Sequence, residues 1–192
     1  MVVYASDKIE NREEAYAVLS RCAGEVWGLS PLPPLERSAD GKPYFPGVPN
    51  RHFNLSHSEP YALCALDTSP VGADIQRIRD ALRPGLPRRV CSPKELGWLE
   101  GQSDRWRSFA LLWALKEARL KYTGTGLRVG IRETSVPLPQ LGQSLYLHEG
   151  LWFRVYEGAD WMASVCGENP PPEQLIWTQK RASRPGSSFS FW

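Results

Sequence analysis

Apolar residues in the first part of the chain recur with the period of an α-helix. Between residues 11 and 27 they lie three or four positions apart: Ala15, Val18, Leu19, Cys22, Ala23, Val26 and Trp27. This spacing places them on one face of a helix, and Asn11 with Glu14 has the form of an N-terminal cap. We therefore predict a helix over residues 11–27 that packs through one face and leaves the other polar.

Two further helices are predicted in the middle of the chain. In "SPKELGWLE", Ser92 precedes Pro93 and is followed three residues later by Glu95, which is the pattern of a capping box. A longer helix is predicted from Ser103 or Asp104 to Tyr122. Gly124 follows it and suits a left-handed end.

Six short segments have the composition of strands and are separated by turn residues. The first three are "RHFNLSHS", "YALCAL" and "PVGADIQRI", within residues 51–78, and they predict an antiparallel meander. The other three are "QSLYLHE", "LWFRVYE" and "WMASVC", within residues 143–166. Between the first helix and the first strand, "SPLPPLERSADGKPYFPGVPN" is too rich in proline for regular structure, but its "GKPYF" is a candidate binding segment.

The order of helix, strands, helices and strands predicts an α+β fold with two halves. We expect residues 1–70 to form the N-terminal half and residues 71–168 the C-terminal half. Each half is expected to hold a three-stranded antiparallel sheet packed with a long helix. Residues 169–192 are expected to be an arm that packs through Leu175, Ile176 and Trp177, followed by a loose tail.

Composition narrows the class of protein. The chain has 192 residues, 42% of them hydrophobic, and a net charge of only +2, which is too mild for bulk nucleic-acid binding. Its four cysteines are far apart and have no zinc-site spacing. No signal peptide and no membrane span is recognisable, so we expect a reduced, cytoplasmic protein without a membrane partner. The mild charge argues against a nucleic-acid partner, and the organisation in two halves favours a monomer with its own cleft.

The long helix carries charged side chains in its C-terminal half: Lys116, Glu117, Arg119 and Lys121. At about 100° per residue, Glu117 lies near the centre of an apolar stripe. That stripe comprises Trp106, Phe109, Ala110, Trp113 and Leu120. A carboxylate there is costly unless it meets a cation. Two interpretations remain open: an intrahelical salt bridge with Lys121, or a functional site.

Two of the strand segments also carry candidate chemistry. Alternation in "VGADIQ" puts Asp74 and Gln76 on one face, about 7 Å apart, where their oxygens suit Mg²⁺. In "FNLSHS", Ser56 and His57 stand near a strand end, where a hydroxyl and an imidazole can receive phosphate oxygens. The alternatives are a solvent-facing sheet surface for the first pair and local hydrogen bonding for the second.

The ordered motifs "GKPYFP", "FNLSHS", "VGADIQ" and "WALKEARLKYTGTGL" resemble those of 4'-phosphopantetheinyl transferases of the surfactin-synthetase-activating class, W/KEA subgroup. The resemblance extends from about Gly41 to Leu127. It implies a fold of two pseudo-symmetric halves with the active-site cleft between them. It also implies Mg²⁺-dependent transfer of the phosphopantetheine arm of coenzyme A to a serine of an apo acyl or peptidyl carrier protein, which releases 3',5'-ADP.

Carried over to this chain, the resemblance makes Asp74 and Glu117 the acidic metal ligands and catalytic groups. Glu117 also takes the proton of the carrier serine, and Lys121 serves as a catalytic group at the pyrophosphate. Many relatives have an acid at the position of Gln76. An amide oxygen can still bind Mg²⁺ but supplies a weaker field, so Gln76 is a third metal candidate and Mn²⁺ is an alternative ion.

The same resemblance assigns coenzyme A contacts along the chain. Lys42 and Pro43 match the adenine and its 3'-phosphate, and Ser56 with His57 matches a phosphate contact. Arg12 is a loosely aligned further contact for the 3'-phosphate. Lys116 lies off the apolar stripe and is expected to be solvated, with a substrate contact as a weaker candidate role.

An arginine-rich stretch follows the "VGADIQ" strand, comprising Arg77, Arg79, Arg83, Arg88 and Arg89. Carrier proteins are typically acidic around the modified serine, so this stretch is a candidate for steering them by charge; an ordinary solvated charge run is the alternative. Two other functions also remain open. They are a non-catalytic module that binds carrier protein or coenzyme A, and a Mg²⁺-dependent nucleotide phosphohydrolase.

Overall fold

The computed structural model describes residues 1–78, 85–125 and 130–178. In these ranges the chain forms a mixed α+β fold, as the sequence predicts. The helices are α1 (Arg12–Trp27), α2 (Leu86–Val90), α3 (Pro93–Glu100) and α4 (Arg105–Thr123). The strands are β1 (Val2–Ser6), β2 (Glu36–Arg37), β3 (Pro43–Tyr44), β4 (His52–Ser58), β5 (Tyr61–Asp67), β6 (Val71–Arg77), β7 (Leu145–His148), β8 (Leu151–Glu157), β9 (Trp161–Gly167) and β10 (Ile176–Trp177).

The strands assemble into two larger sheets and one small hairpin. The first sheet has the order β10-β1-β5-β4 and the second has the order β6-β9-β8-β7. Within both sheets all neighbours are antiparallel except β10, which joins β1 in parallel. The hairpin β2-β3 lies inside the proline-rich segment that was expected to lack regular structure.

The two sheets share a common core topology. In each, a first strand is followed by a long helix, and a later hairpin returns so that its second strand pairs with the first, giving β1-β5-β4 and β6-β9-β8. One edge strand is added to each core, so the sheets have four strands rather than the expected three. This repeated strand-helix-hairpin unit is the pseudo-symmetry expected from the resemblance.

The predicted meander of three strands within residues 51–78 is wrong. β6 pairs with β9 across the full register from Val71 with Gly167 to Arg77 with Trp161, and not with β5. The missing member of the first sheet is β1, which was not predicted. Period-two patterning marks a segment as a strand but carries no information on its partner. The domain boundaries, including the arm, stay a prediction, and residues 179–192 lie outside the described residues.

The layers follow the order α1, first sheet, second sheet, α4. One face of the first sheet packs on α1 through a cluster that includes Leu19, Phe53 and Cys64. The other face meets the second sheet in a central core, to which Leu63 and Ile75 both contribute. The outer face of the second sheet packs on α4. Because both sheets are covered on both faces, their strands read as nearly continuous apolar runs.

Local signals set the ends of the helices. The Asn11 side chain accepts a hydrogen bond from the Glu14 backbone, and Ser92 with Glu95 forms the predicted capping box. Helix α4 begins after Asp104, whose side chain accepts from the Arg107 backbone. It ends at Gly124, with φ +76°. None of the helices in the described ranges has the length and apolar character that a membrane span requires.

Candidate active site

The edge strands of the two sheets meet beside the C-terminal half of α4. Side chains of β4 accept hydrogen bonds from backbone N–H groups of β6, which is an edge strand of the second sheet among the described residues. The acceptors are Asn54, Ser56 and Ser58, and the donors are the N–H groups of Ala73, Ile75 and Arg77, at 3.1, 3.4 and 3.1 Å respectively. This polar seam holds the two halves together and brings Ser56 next to Asp74.

Asp74 is buried and receives three hydrogen bonds from side chains. Its Oδ1 accepts from the Ser56 hydroxyl at 2.7 Å and from the Lys121 ammonium at 2.5 Å. Its Oδ2 accepts from the Gln76 amide Nε2 at 2.7 Å. The Lys121 ammonium also donates to Ser56 at 2.9 Å. These three donors fix the orientation of the Asp74 carboxyl group, which is only 2% exposed.

Glu117 lies one helical turn before Lys121 and is half-buried. Burial raises the pKa of its carboxyl, the negative charge of Asp74 raises it further, and the charge of Lys121 partly offsets both. Two carboxylates and one ammonium thus act on each other at this point. The intrahelical salt bridge between Glu117 and Lys121 is wrong as an interpretation, because within the described residues Lys121 pairs with Asp74 instead.

A pocket of about 230 Å³ opens beside these groups. Glu117 and Lys121 line one side of it, and Lys42 and Pro43 of the "GKPYF" segment line another. Asn54 and Leu55 of β4 also line it. The pocket therefore joins residues assigned to coenzyme A with residues assigned to catalysis. Asn54 was missed at the sequence level, although its alternation with Ser56 in "FNLSHS" was a usable signal.

Lys42 faces the protein interior as well as the pocket. Its ammonium donates to the carbonyl oxygens of Val71, at 3.1 Å, and Tyr122, at 3.0 Å. It thereby links the start of β6 to the last turn of α4, where a cation is favourable to the helix dipole. Burial lowers the pKa of Lys42 to about 8.

Four of the six predicted contacts for coenzyme A do not line this pocket. Ser56 is not a lining residue, but it accepts a hydrogen bond from Lys121, which is. His57 is exposed and, because side chains alternate along β4, lies on the opposite face from Ser56. Arg12 is exposed in the first turn of α1, where its guanidinium lies 5.6 Å from the centre of the Tyr16 ring. Lys116 points into the interior of the second half.

The expectation that Lys116 is solvated is wrong. The side chain is fully buried, and its ammonium forms a 2.9 Å salt bridge with Glu95, the capping residue of α3. It also donates to three backbone carbonyls of the following loop, those of Ile131, Arg132 and Thr134. The helical wheel placed Lys116 off the apolar stripe, but α3 and this loop cover that side of α4.

The arginine stretch is only partly described. Arg77 is exposed and lies 3.5 Å from Asp160 in an ion pair, while Arg88 and Arg89 are exposed on α2. Arg79 and Arg83 lie outside the described residues.

The donor set fits a divalent ion that is shared with a phosphate substrate. No group of three or more His, Cys, Asp and Glu side chains within residues 1–78, 85–125 and 130–178 could hold a metal. Mg²⁺, however, commonly uses one or two protein carboxylates together with waters and substrate phosphates. Asp74 and Glu117 act on each other electrostatically, so they supply such a pair. Gln76 presently directs its amide nitrogen, not its oxygen, toward Asp74.

Comparison with known proteins identifies the family. The family model of the 4'-phosphopantetheinyl transferase superfamily matches residues 70–166, from the start of β6 to β9. A 4'-phosphopantetheinyl transferase of Bacillus subtilis is 34% identical over 140 residues, covering 68% of this chain and 61% of the relative. The 4'-phosphopantetheinyl transferase Sfp of Bacillus subtilis strain 168 is 33% identical over 143 residues, covering 70% and 63%.

A more distant relative is the human L-aminoadipate-semialdehyde dehydrogenase-phosphopantetheinyl transferase, which is 30% identical over 122 residues, covering 56% of this chain and 40% of the relative. The chain belongs to the 4'-phosphopantetheinyl transferase superfamily. It spans less than two thirds of the length of either Bacillus protein.

Proposed function

We propose that this protein transfers the 4'-phosphopantetheine arm of coenzyme A to a serine hydroxyl of an apo acyl or peptidyl carrier protein. The observation that carries the proposal is the pocket in which Lys42 and Pro43 face Glu117 and Lys121, beside the oriented Asp74. Membership of the superfamily and the activity for which the relatives are named support the same reaction.

In the proposed reaction the serine oxygen of the carrier attacks the β-phosphorus of coenzyme A. A new phosphorus–oxygen bond forms, and the bond from that phosphorus to the bridging oxygen breaks, so 3',5'-ADP leaves with the electron pair. Glu117 takes the proton of the serine, directly or through a water. Its raised pKa makes it a stronger base than an exposed glutamate. Lys121 neutralises the charge that develops on the leaving ADP.

Asp74 and Glu117 would hold Mg²⁺, or Mn²⁺, with Gln76 as a third ligand if its amide turns its oxygen inward. When bound, the ion supplies charge neutralisation at the pyrophosphate. The chain's own part is orientation. Ser56 fixes one carboxylate oxygen of Asp74, and Gln76 fixes the other.

We further propose that the protein works as a monomer in the cytoplasm, with coenzyme A and a carrier protein as partners rather than nucleic acid or membrane. The site is formed within one chain, from both sheets and α4, and all four cysteines are free thiols. The net charge of +2 also argues against a nucleic-acid partner. Size-exclusion chromatography with light scattering tests the oligomeric state.

The decisive experiment is incubation of the protein with an apo carrier, coenzyme A and Mg²⁺, followed by mass spectrometry of the carrier. We expect a mass increase of one phosphopantetheine arm and stoichiometric 3',5'-ADP. Binding of coenzyme A without any mass increase, across acyl and peptidyl carriers, favours the binding module. Nucleotide hydrolysis in the absence of a carrier favours the phosphohydrolase.

A further inference from the structure

Ser164 of β9 carries a buried hydroxyl without a hydrogen-bond partner. Ser164 is 0% exposed. Its Oγ is the only buried side-chain nitrogen or oxygen in the described parts of the chain that lacks a hydrogen-bond partner. An unpaired buried hydroxyl costs roughly 1–3 kcal/mol. Such groups are rare in folded proteins, so this one requires an explanation.

The position of Ser164 connects it to the candidate active site. In the register of β6 with β9, Ser164 lies directly opposite Asp74. Its neighbours Ala163 and Val165 face the central core, so Ser164 faces α4 on the same side as Asp74. Opposite side chains of an antiparallel pair have Cβ atoms about 4.5–5.5 Å apart. Rotation of the serine side chain between staggered positions therefore re-aims the hydroxyl without any movement of the backbone.

Without substrate, the Asp74 carboxyl group already accepts hydrogen bonds from Ser56, Lys121 and Gln76, so it does not require a further donor. The proposed reaction removes one of these donors, since Lys121 must turn to the pyrophosphate. We propose that Ser164 is a positioning residue that donates to Asp74 when Lys121 leaves it. The inference rests on the proposed function. It explains why an unpaired hydroxyl is kept at this position.

The test compares wild type with Ser164→Ala. The hydroxyl has no partner before substrate binds, so its removal leaves the Tm of the ligand-free protein equal or higher. Loss of a hydrogen bond to a carboxylate during turnover lowers kcat about tenfold, with the KM values for coenzyme A and carrier unchanged. Ser164→Cys keeps the shape of the side chain and a weak hydrogen-bond donor, so its kcat should lie between those of wild type and Ser164→Ala.

Cys166→Ala is the matched control, because Cys166 is buried two residues along the same strand and faces α4. Its cavity should lower the Tm but leave kcat unchanged. The inference is overturned if Ser164→Ala retains the wild-type kcat, or if it loses as much Tm as Cys166→Ala. If wild type itself transfers no phosphopantetheine, the proposed function fails. A retained kcat in the variant overturns only the role of Ser164.

Discussion

Three charged residues of one helix, Lys116, Glu117 and Lys121, have three different environments. Lys116 is fully buried against Glu95 and backbone carbonyls. Glu117 is half-buried at the pocket, and Lys121 reaches across to Asp74. All three lie within six residues of the same helix, but their neighbours differ. The chemistry of each residue therefore depends on the element that covers its side of α4.

Glu117→Gln tests the general base. The amide keeps the size of the side chain but cannot accept the serine proton, so we expect kcat to fall by roughly 10²–10⁴-fold. Holo-carrier formation by mass spectrometry measures the effect. The Tm should stay equal or rise, because burial and the charge of Asp74 disfavour the carboxylate more than the charge of Lys121 favours it. A kcat within a factor of about three of wild type would be incompatible with a base at this position.

Lys42 should make stability depend on pH. Its pKa in the folded protein is about 8, compared with an ordinary 10.5. Between these values the unfolded chain binds more protons than the folded protein, so the free energy of unfolding rises with pH. Lys42→Met removes this titration. We expect urea unfolding of wild type to gain stability relative to the variant as the pH increases from about 8 toward 10.5. A constant difference contradicts the prediction.

Helix α4 and strand β6 approach so closely that only glycine fits at position 72. A Cβ there would lie 1.9 Å from the carbonyl oxygen of Ala118 and 2.6 Å from the backbone nitrogen of Tyr122. These are backbone atoms of the helix and cannot move aside individually. Because Asp74 is on β6 and Glu117 is on α4, this close contact also sets the geometry of the candidate site.

Gly72→Ala should therefore destabilise the protein. We expect a loss of about 1–3 kcal/mol in the free energy of unfolding, together with reduced transfer activity as α4 shifts away from β6. Gly97→Ala is the control, since a Cβ at that exposed helical position meets no atom within 4 Å. It should be neutral or stabilise by up to about 1 kcal/mol. Equal stability of the two variants in urea titrations would refute the packing argument.

The α3–α4 contact depends on the buried ion pair between Glu95 and Lys116. Lys116→Met leaves the carboxylate of Glu95 buried without its cation, and we expect a loss of about 3–5 kcal/mol in the free energy of unfolding. Adding Glu95→Gln should recover part of that loss, because the unpaired charge is removed. The exposed Lys94→Met serves as control and should change little. If Lys116→Met alone is as stable as the double variant with Glu95→Gln, the buried ion pair is refuted.

Arg88 and Arg89 are exposed on α2, in a chain whose net charge is only +2. If they steer an acidic carrier protein, the KM for the carrier should rise with salt in wild type. In the double variant Arg88→Glu with Arg89→Glu, the KM for the carrier should be about tenfold higher at low salt and should no longer depend on salt. The KM for coenzyme A serves as the internal control. An unchanged KM for the carrier would show that the arginines are merely solvated.

Sequence patterns predicted α1, α3 and α4 with their caps, and six of the strands, because these features depend on neighbours within a few residues. The same patterns joined β6 to β5 in one meander and missed β1. Asp74, Glu117, Lys121 and Ser56 were selected from three separate motifs, and the fold brings them together. Asn54 was not selected although it alternates with Ser56, and its partner, the Ala73 N–H of another sheet, follows only from the fold.

The order of residues thus determines the helices, the strand segments and the identity of the charged groups, since each follows from local periodicity and side-chain chemistry. Strand partners, the burial of Lys116 and the ion pair of Lys121 with Asp74 rather than Glu117 follow only from tertiary structure. The physical reason is that these features join residues far apart in sequence. Their energies depend on which surfaces cover each group and exclude water from it.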